Sequence, residues 1–219
     1  MPAEAIVFLH GNLSRGSHWQ PQLDALAAEG WRVHAPDQRG FGDPPAPGRP
    51  DSLLDLADDV AAWCAAERLD AVSVVGMSFG GSVAQAVAVR HPEIVHSLLL
   101  AGTYRLDELH PAIAAFNAPA IEHGVPPIDT IGPMVRASFS DRYQAAHPDV
   151  VDRIVDELLA TEQATLDATL TALEDFPKVV APTISAPTIV VGGTDDGLCP
   201  ARRVPRIGRR DPGGALCRT

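Results

Sequence analysis

Apolar residues fall into short unbroken runs in the first half of the chain, with stretches of helical periodicity between them. Ala5–Leu9 is continuous and apolar and ends at His10-Gly11, the pattern of a strand covered on both faces. From Trp19 to Glu29 the positions Leu23, Leu26 and Ala27 recur at helical spacing, and Gly30 is the expected stop. Trp31–Ala35 is short and compatible with a strand, and Pro36 closes it. Gly40–Pro50, rich in Pro and Gly, reads as loop.

A second helix is expected from Ser52, with Asp55 three residues on as a capping pattern and Leu53, Leu56, Val60 and Trp63 along one face. Ala71–Val75 is another buried strand. The turn Gly76–Ser78 leads into a helix of small residues reaching about Arg90, and His96–Ala101 is a third strand. Strands of this kind separated by helices predict an α/β fold, a doubly wound and mostly parallel sheet joined by right-handed crossovers.

From Thr103 to Pro187 the strand rhythm stops. Helical patterns alternate with prolines, and the segment Val150–Leu173 reads as strongly helical, with Val151, Ile154, Val155, Leu158 and Leu159 in register. Thr188–Val191 then restores the strand pattern. The division expected is a core over residues 1–102 and 188–204, an inserted helical lid over 103–187, and an irregular basic tail over 205–219.

Composition narrows the function classes. The chain has 219 residues, 46% of them hydrophobic and 21% charged, enough apolar material to fill a core. No run of eighteen apolar residues is present, and the first five residues lack the basic region of a secretory signal, so no membrane association is expected. Three scattered cysteines make neither a disulfide framework nor a metal set, and a cytoplasmic location is predicted. Residues 1–200 carry a charge balance of −16 and residues 201–219 one of +5, which give the net −11. An acidic body of this kind disfavours nucleic acid. A small-molecule substrate is expected, with neither cofactor nor metal, and the sequence leaves the oligomeric state open.

The chemistry-bearing pattern is Gly76-Met77-Ser78-Phe79-Gly80-Gly81 between an apolar strand and a small-residue helix. A turn this tight needs neighbours without bulk, and it lifts the Ser78 hydroxyl above the strand ends at the start of a helix. There the Phe79 N–H is free to donate to a developing oxyanion. The duller alternative is a serine that merely caps its helix. His10-Gly11-Asn12 follows the first strand, and its Asn12 N–H is the expected second donor. His10 and Gly11 would then orient the loop.

These pieces, with Asp37-x-Arg39-Gly40-x-Gly42 and Gly193-Thr-Asp-Asp196, resemble the α/β-hydrolase superfamily in its lid-bearing, esterase-like branch over about residues 5–200. The resemblance implies a serine nucleophile at Ser78, an acid after the next-to-last strand, and a histidine near the end. The acid aligns as Asp196 in preference to Asp195. The Asp37 stretch is implied to be a structural loop, with Pro44 where a serine is usual. A serine at the elbow disfavours a hydrolytic dehalogenase, whereas a serine haloperoxidase or carbon–carbon hydrolase would share this skeleton.

The implied histidine is not found. All eight histidines (10, 18, 34, 91, 96, 110, 123 and 147) precede Asp196. The expectation is therefore a hydrolase of a carboxylic ester, lactone or similar acyl substrate, impaired by the missing base. The alternative is a non-catalytic protein on the same fold. The abrupt change to Arg, Gly and Pro near Val204 reads as a departure from the ancestral reading frame. His110, His123 and His147 are the candidates for a substitute base. Trp19, Trp31 and Trp63 are expected in the core, Phe116, Met134 and Phe139 in or beneath a pocket on the lid side, and Cys199 is expected to be inert.

Overall fold

The computed structural model describes residues 5–104, 132–133, 135–160, 163–175, 184–197 and 199. The expected tail over 205–219, His110, His123, Phe116 and Met134 lie outside the described residues.

Five strands form one sheet: β1 (Ala5–Leu9), β2 (Val33–His34), β3 (Val72–Met77), β4 (Val95–Ala101) and β5 (Thr188–Val191). Their order is β2-β1-β3-β4-β5, and every neighbouring pair is parallel. The chain steps from β1 outward to β2 and then returns to the other side of β1 with β3. The connections therefore diverge between β1 and β3, which opens a crevice at the carboxyl ends of those two strands.

One face of the sheet is covered by α2 (Leu53–Ala66) and α3 (Phe79–Arg90). Val7, Leu9, Val72, Val74, Leu98 and Leu100 point into that layer and are almost fully buried. Helix α2 begins as its sequence demands, with the Ser52 hydroxyl accepting from the Asp55 N–H, and it buries Leu53, Leu56, Ala57, Val60 and Cys64. Gly80, Gly81, Ser82, Ala84, Ala86 and Ala88 let α3 lie close against the strands; a Cβ at Gly80 would collide with the Leu9 and His10 carbonyl oxygens.

The opposite face is more thinly covered. A 3-10 turn at Gly16–Trp19 and α1 (Gln20–Ala28) lie there, with the Trp19 ring 5.0 Å from Phe8. No residue of α1 is buried. β5 stands at the edge of the sheet among the described residues, and Ile189 on it is 49% exposed.

Two of the tryptophan expectations are corrected here. Trp31 is 51% exposed, because the strand read over Trp31–Ala35 shrinks to Val33–His34 at the sheet edge and leaves the indole beyond it. Trp19 is half-buried beside Phe8, whereas Trp63 packs against the core as expected, with its indole against the His34 ring. The helical segment expected over Val150–Leu173 is present as two helices, α5 (Pro148–Leu159) and α6 (Gln163–Asp175), preceded by α4 (Asp141–Ala146). Continuing the buried stripe of Val151, Val155 and Leu158 by one turn would bring Glu162 into it, and the helix ends before that. Leu159 accordingly stays exposed.

The helices between β4 and β5 meet the sheet core through Ala172, with Leu170 and Leu173 against it, and a second, smaller cluster packs Leu13 with Leu158 and Leu166. Among the described residues no helix is long and apolar enough to cross a membrane.

Candidate active site

β3 ends at Met77, and Ser78 takes φ 52 and ψ −119 before α3 begins at Phe79. A serine in the left-handed region is strained, and such a residue persists only where its surroundings over-determine it. They do so here. The Ser78 N–H donates to the Ala101 carbonyl at 3.0 Å. Its carbonyl accepts from the Thr103 hydroxyl at 2.8 Å and from the Gly81 and Ser82 N–H groups at 2.9 and 3.2 Å. Gly76 is required because a Cβ there would strike the Gly80 carbonyl, and Gly81 because one there would strike the Thr103 side chain.

The Ser78 side chain makes no capping bond to its own helix, which removes the duller reading of this serine. Ser78 is half-buried, and Phe79 after it is buried. The Phe79 N–H lies at the first position of α3, where no intrahelical acceptor exists.

The loop after β1 lies directly alongside. A Cβ on Gly11 would sit 3.6 Å from the Ser78 Cβ and 3.0 Å from the Met77 Cε, so the loop backbone runs in near contact with the turn. His10 beneath it is fully buried. The Gln38 N–H donates to His10 Nε2 at 3.1 Å, so Nδ1 carries the proton and donates to the Gly11 carbonyl at 2.9 Å. Burial pushes the His10 pKa down to about 4, only partly opposed by the Gly11 bond, which leaves the ring neutral at pH 7. The Gln38 side-chain amide also donates to the His10 carbonyl at 2.8 Å. Asn12 is half-buried; its side-chain oxygen accepts from the Leu13 N–H, and Leu13 has φ 57. No acceptor for the Asn12 N–H occurs among the described residues.

Beyond β5 the two aspartates differ. Asp195 is exposed, with the Thr194 hydroxyl 3.4 Å away. Asp196 is half-buried; its Oδ1 accepts from the Cys199 N–H at 2.8 Å, and its Oδ2 faces Gly102, 3.5 Å from where a Cβ would stand. In the strand register Met77 pairs with Ala101, and Ala101 with Val191. The β3 end that leads into Ser78 and the β5 end that precedes the Asp196 turn are therefore two strand spacings apart, about 10 Å.

The described histidines are engaged elsewhere or exposed. His34 packs on Trp63, His91 Nε2 lies 2.6 Å from Asp58, His147 packs on Tyr143 at 4.7 Å between ring centres, and His96 is exposed. Cys199 is buried, and burial together with the nearby Asp196 carboxylate pushes its thiol up to about 12, so it carries no thiolate at neutral pH. Phe139 stacks on Tyr143.

Sequence reasoning missed Gln38, Thr103 and Gln85. The Gln85 amide donates to the Gly81 and Tyr104 carbonyls at 3.1 and 2.8 Å, which ties α3 to the segment after β4. Each of the three holds backbone from a distant part of the chain, and no local pattern marks such a residue. The Asp37 stretch is structural in its contacts, as expected: the Asp37 carboxylate accepts from the Gly16 N–H at 2.6 Å and fills the space a side chain at Gly42 would need.

Known proteins share this framework. The chain is 32% identical over 207 residues to RutD of Variovorax paradoxus (strain S110), a protein provisionally named a carbamate hydrolase, covering 90% of this chain and 76% of that one. It is 32% identical over 215 residues to the pimeloyl-[acyl-carrier protein] methyl ester esterase of Neisseria meningitidis serogroup B, covering 90% and 75%. Among solved structures it resembles Est816, described as an N-acyl homoserine lactone degrading enzyme, with a TM-score of 0.72, 27% identity, and coverage of 91% and 78%. The model of the alpha/beta hydrolase family matches residues 6–216, and the chain belongs to that family.

Proposed function

We propose that the chain is a serine-type hydrolase of small carboxylic esters or lactones, with Ser78 as nucleophile. The observation that carries this reading is the Ser78 conformation: a positive φ at the end of β3, at the switch point of the strand order, with the side chain released from helix capping. The Phe79 and Asn12 amides would receive the negative charge that develops on the substrate carbonyl oxygen. His10 and Gly11 would hold the Asn12 amide in place, and Asp196, in preference to Asp195, would orient an imidazole. Residues 103–187 would close over the site as a lid on the core of residues 1–102 and 188–204. Two described cysteines, both free thiols, support a cytoplasmic setting.

The reaction needs a base to accept the Ser78 proton as the acyl bond forms. The sequence has no histidine after His147. Loss of the base from a serine triad costs on the order of 10⁶ in kcat, with about 10³–10⁴ over water left to the oxyanion donors and binding. This chain is therefore expected to turn over slowly. The engagement of the described histidines elsewhere favours a second reading, a protein that keeps the crevice and binds acyl compounds without hydrolysing them.

A fluorophosphonate probe, with the labelled peptide mapped by mass spectrometry, separates the two. Labelling of Ser78 that disappears in Ser78→Ala supports the hydrolase. An unlabelled Ser78, beside a relative that labels fully, supports the binding protein. A panel of aryl esters, lactones and carbamates would then rank the substrate classes.

A further inference from the structure

The loop that carries Asn12 continues into a second group of reactive side chains, apart from Ser78. Ser14 Oγ lies 2.8 Å from His18 Nδ1, and His18 Nε2 lies 2.7 Å from Glu157 Oε2. Glu157 belongs to α5 and is distant in sequence from both partners. An ionised carboxylate can only accept, so the neutral imidazole carries its proton on Nε2. Nδ1 then presents a lone pair, and the Ser14 hydroxyl must be the donor. A serine hydroxyl donates to an imidazole, and the imidazole donates to a carboxylate. Both distances fall within the range of nucleophile–base and base–carboxylate pairs.

The three side chains are held by anchored neighbours. Leu13, just before Ser14, is buried against Leu158, just after Glu157. Two residues beyond Ser14, Gly16 donates to Asp37 and presses against the Ala35 carbonyl so closely that no side chain fits. The loop and the helix thus meet in fixed register, with Ser14 and Glu157 on the same junction. Arg15 Nη2 lies 3.8 Å from Glu157 Oε2 and adds positive charge beside the group. His18 and Glu157 are each about one-third exposed, so a small molecule in solution can reach them.

We propose that Ser14, His18 and Glu157 form a second acyl-transfer site on the surface, at the seam between the β1 loop and the lid helices. It is independent of the reading given for Ser78. Its substrates are small esters with a good leaving group, such as aryl esters, because the exposed site offers little wall for binding and no preset pair of oxyanion amides. In the reaction Ser14 Oγ bonds to the acyl carbon as its proton passes to His18 Nδ1. The bond to the aryl oxygen breaks, and the aryloxide leaves with that proton. Water, deprotonated by His18, then releases the carboxylic acid and restores the Ser14 hydroxyl. Glu157 keeps Nε2 protonated throughout.

The test is fluorophosphonate labelling of the full chain in the Ser78→Ala background, with the modified peptide identified by mass spectrometry. There the Ser14 oxygen bonds to phosphorus and fluoride departs with the proton. The expected result is label on Ser14, slowed about 100-fold in His18→Gln. Glu157→Gln, on the exposed lid helix and so the safer variant for folding, is expected to slow it comparably, because a carboxamide can donate to Nε2 and turn the imidazole to the wrong tautomer. An unlabelled Ser14 overturns the proposal. So does a Ser14 that labels as fast with His18→Gln or Glu157→Gln as without, since the three would then be only a tether between loop and lid.

Discussion

At the end of β3 the backbone does most of the work. Glycines at 76, 80 and 81 allow a left-handed serine, a helix start leaves the Phe79 amide without an intrahelical acceptor, and the loop at Gly11 passes alongside. At the seam after β1 side chains do the work: Ser14, His18 and Glu157 are joined by hydrogen bonds, with no glycine hinge and no helix start of useful length. In the roles proposed for them, the elbow would stabilise charge and lacks a described imidazole for a base, whereas the seam would move a proton and has no helix start to supply amide donors. Charge stabilisation can be built into main chain packed against a sheet. Proton transfer needs an ionisable side chain, which any substitution can move or remove.

The largest effect is expected at the elbow's packing. Gly80→Ala would drive a methyl group into the Leu9 and His10 carbonyls, a collision with backbone that cannot step aside. A loss of about 3 kcal/mol or more is expected in urea unfolding, together with loss of Ser78 labelling. Retention of both would show that the close approach of α3 to β1 is dispensable.

Next comes pH. His10 in the folded chain has a pKa lowered to about 4 from 6.5, so the unfolded chain takes up its proton first as the pH falls. Stability is unaffected by this group above pH 6.5, declines between 6.5 and 4, and levels off below, for a total of about 3 kcal/mol. Urea midpoints across that window would show the slope, and His10→Gln should flatten it. The seam gives the next effect, the roughly 100-fold slowing of Ser14 labelling by His18→Gln, which should leave Ser78 labelling unchanged.

The smallest effect sharpens the contrast. Asn12→Ala removes the side-chain bond to the Leu13 N–H but keeps the Asn12 amide. Ser78 labelling is expected to change by only about threefold, as the loss of one half-exposed hydrogen bond allows. A much larger drop would mean that the side chain, and not the main chain, supports the elbow.

Much of the architecture was legible in the chain. Continuous apolar runs marked β1, β3, β4 and β5, and the Gly76–Gly81 pattern located the turn at Ser78. Other features were not. Trp31 reads as a core residue by its chemistry, but its place beside a two-residue edge strand leaves it exposed. The break between α5 and α6 hides inside a sequence of good helix formers and shows only when the buried stripe is followed to Glu162. Gln38 and Thr103 look like ordinary loop residues, yet each ties a carbonyl of the site: Gln38 that of His10, Thr103 that of Ser78.

The amino-acid order alone therefore determined what short-range forces decide: where the backbone must be extended, where it must turn without a side chain, and which hydroxyl that turn presents. Tertiary structure alone decided that His10 is neutral and fixed to one tautomer, that Gln38 and Thr103 tie carbonyls of the site, and that Glu157 reaches the loop holding Ser14 and His18. The reason is distance along the chain. Steric rules and periodicity act over a few neighbours, whereas hydrogen bonds between β1, the Asp37 loop and the lid depend on how separate elements pack, which no local window of residues contains.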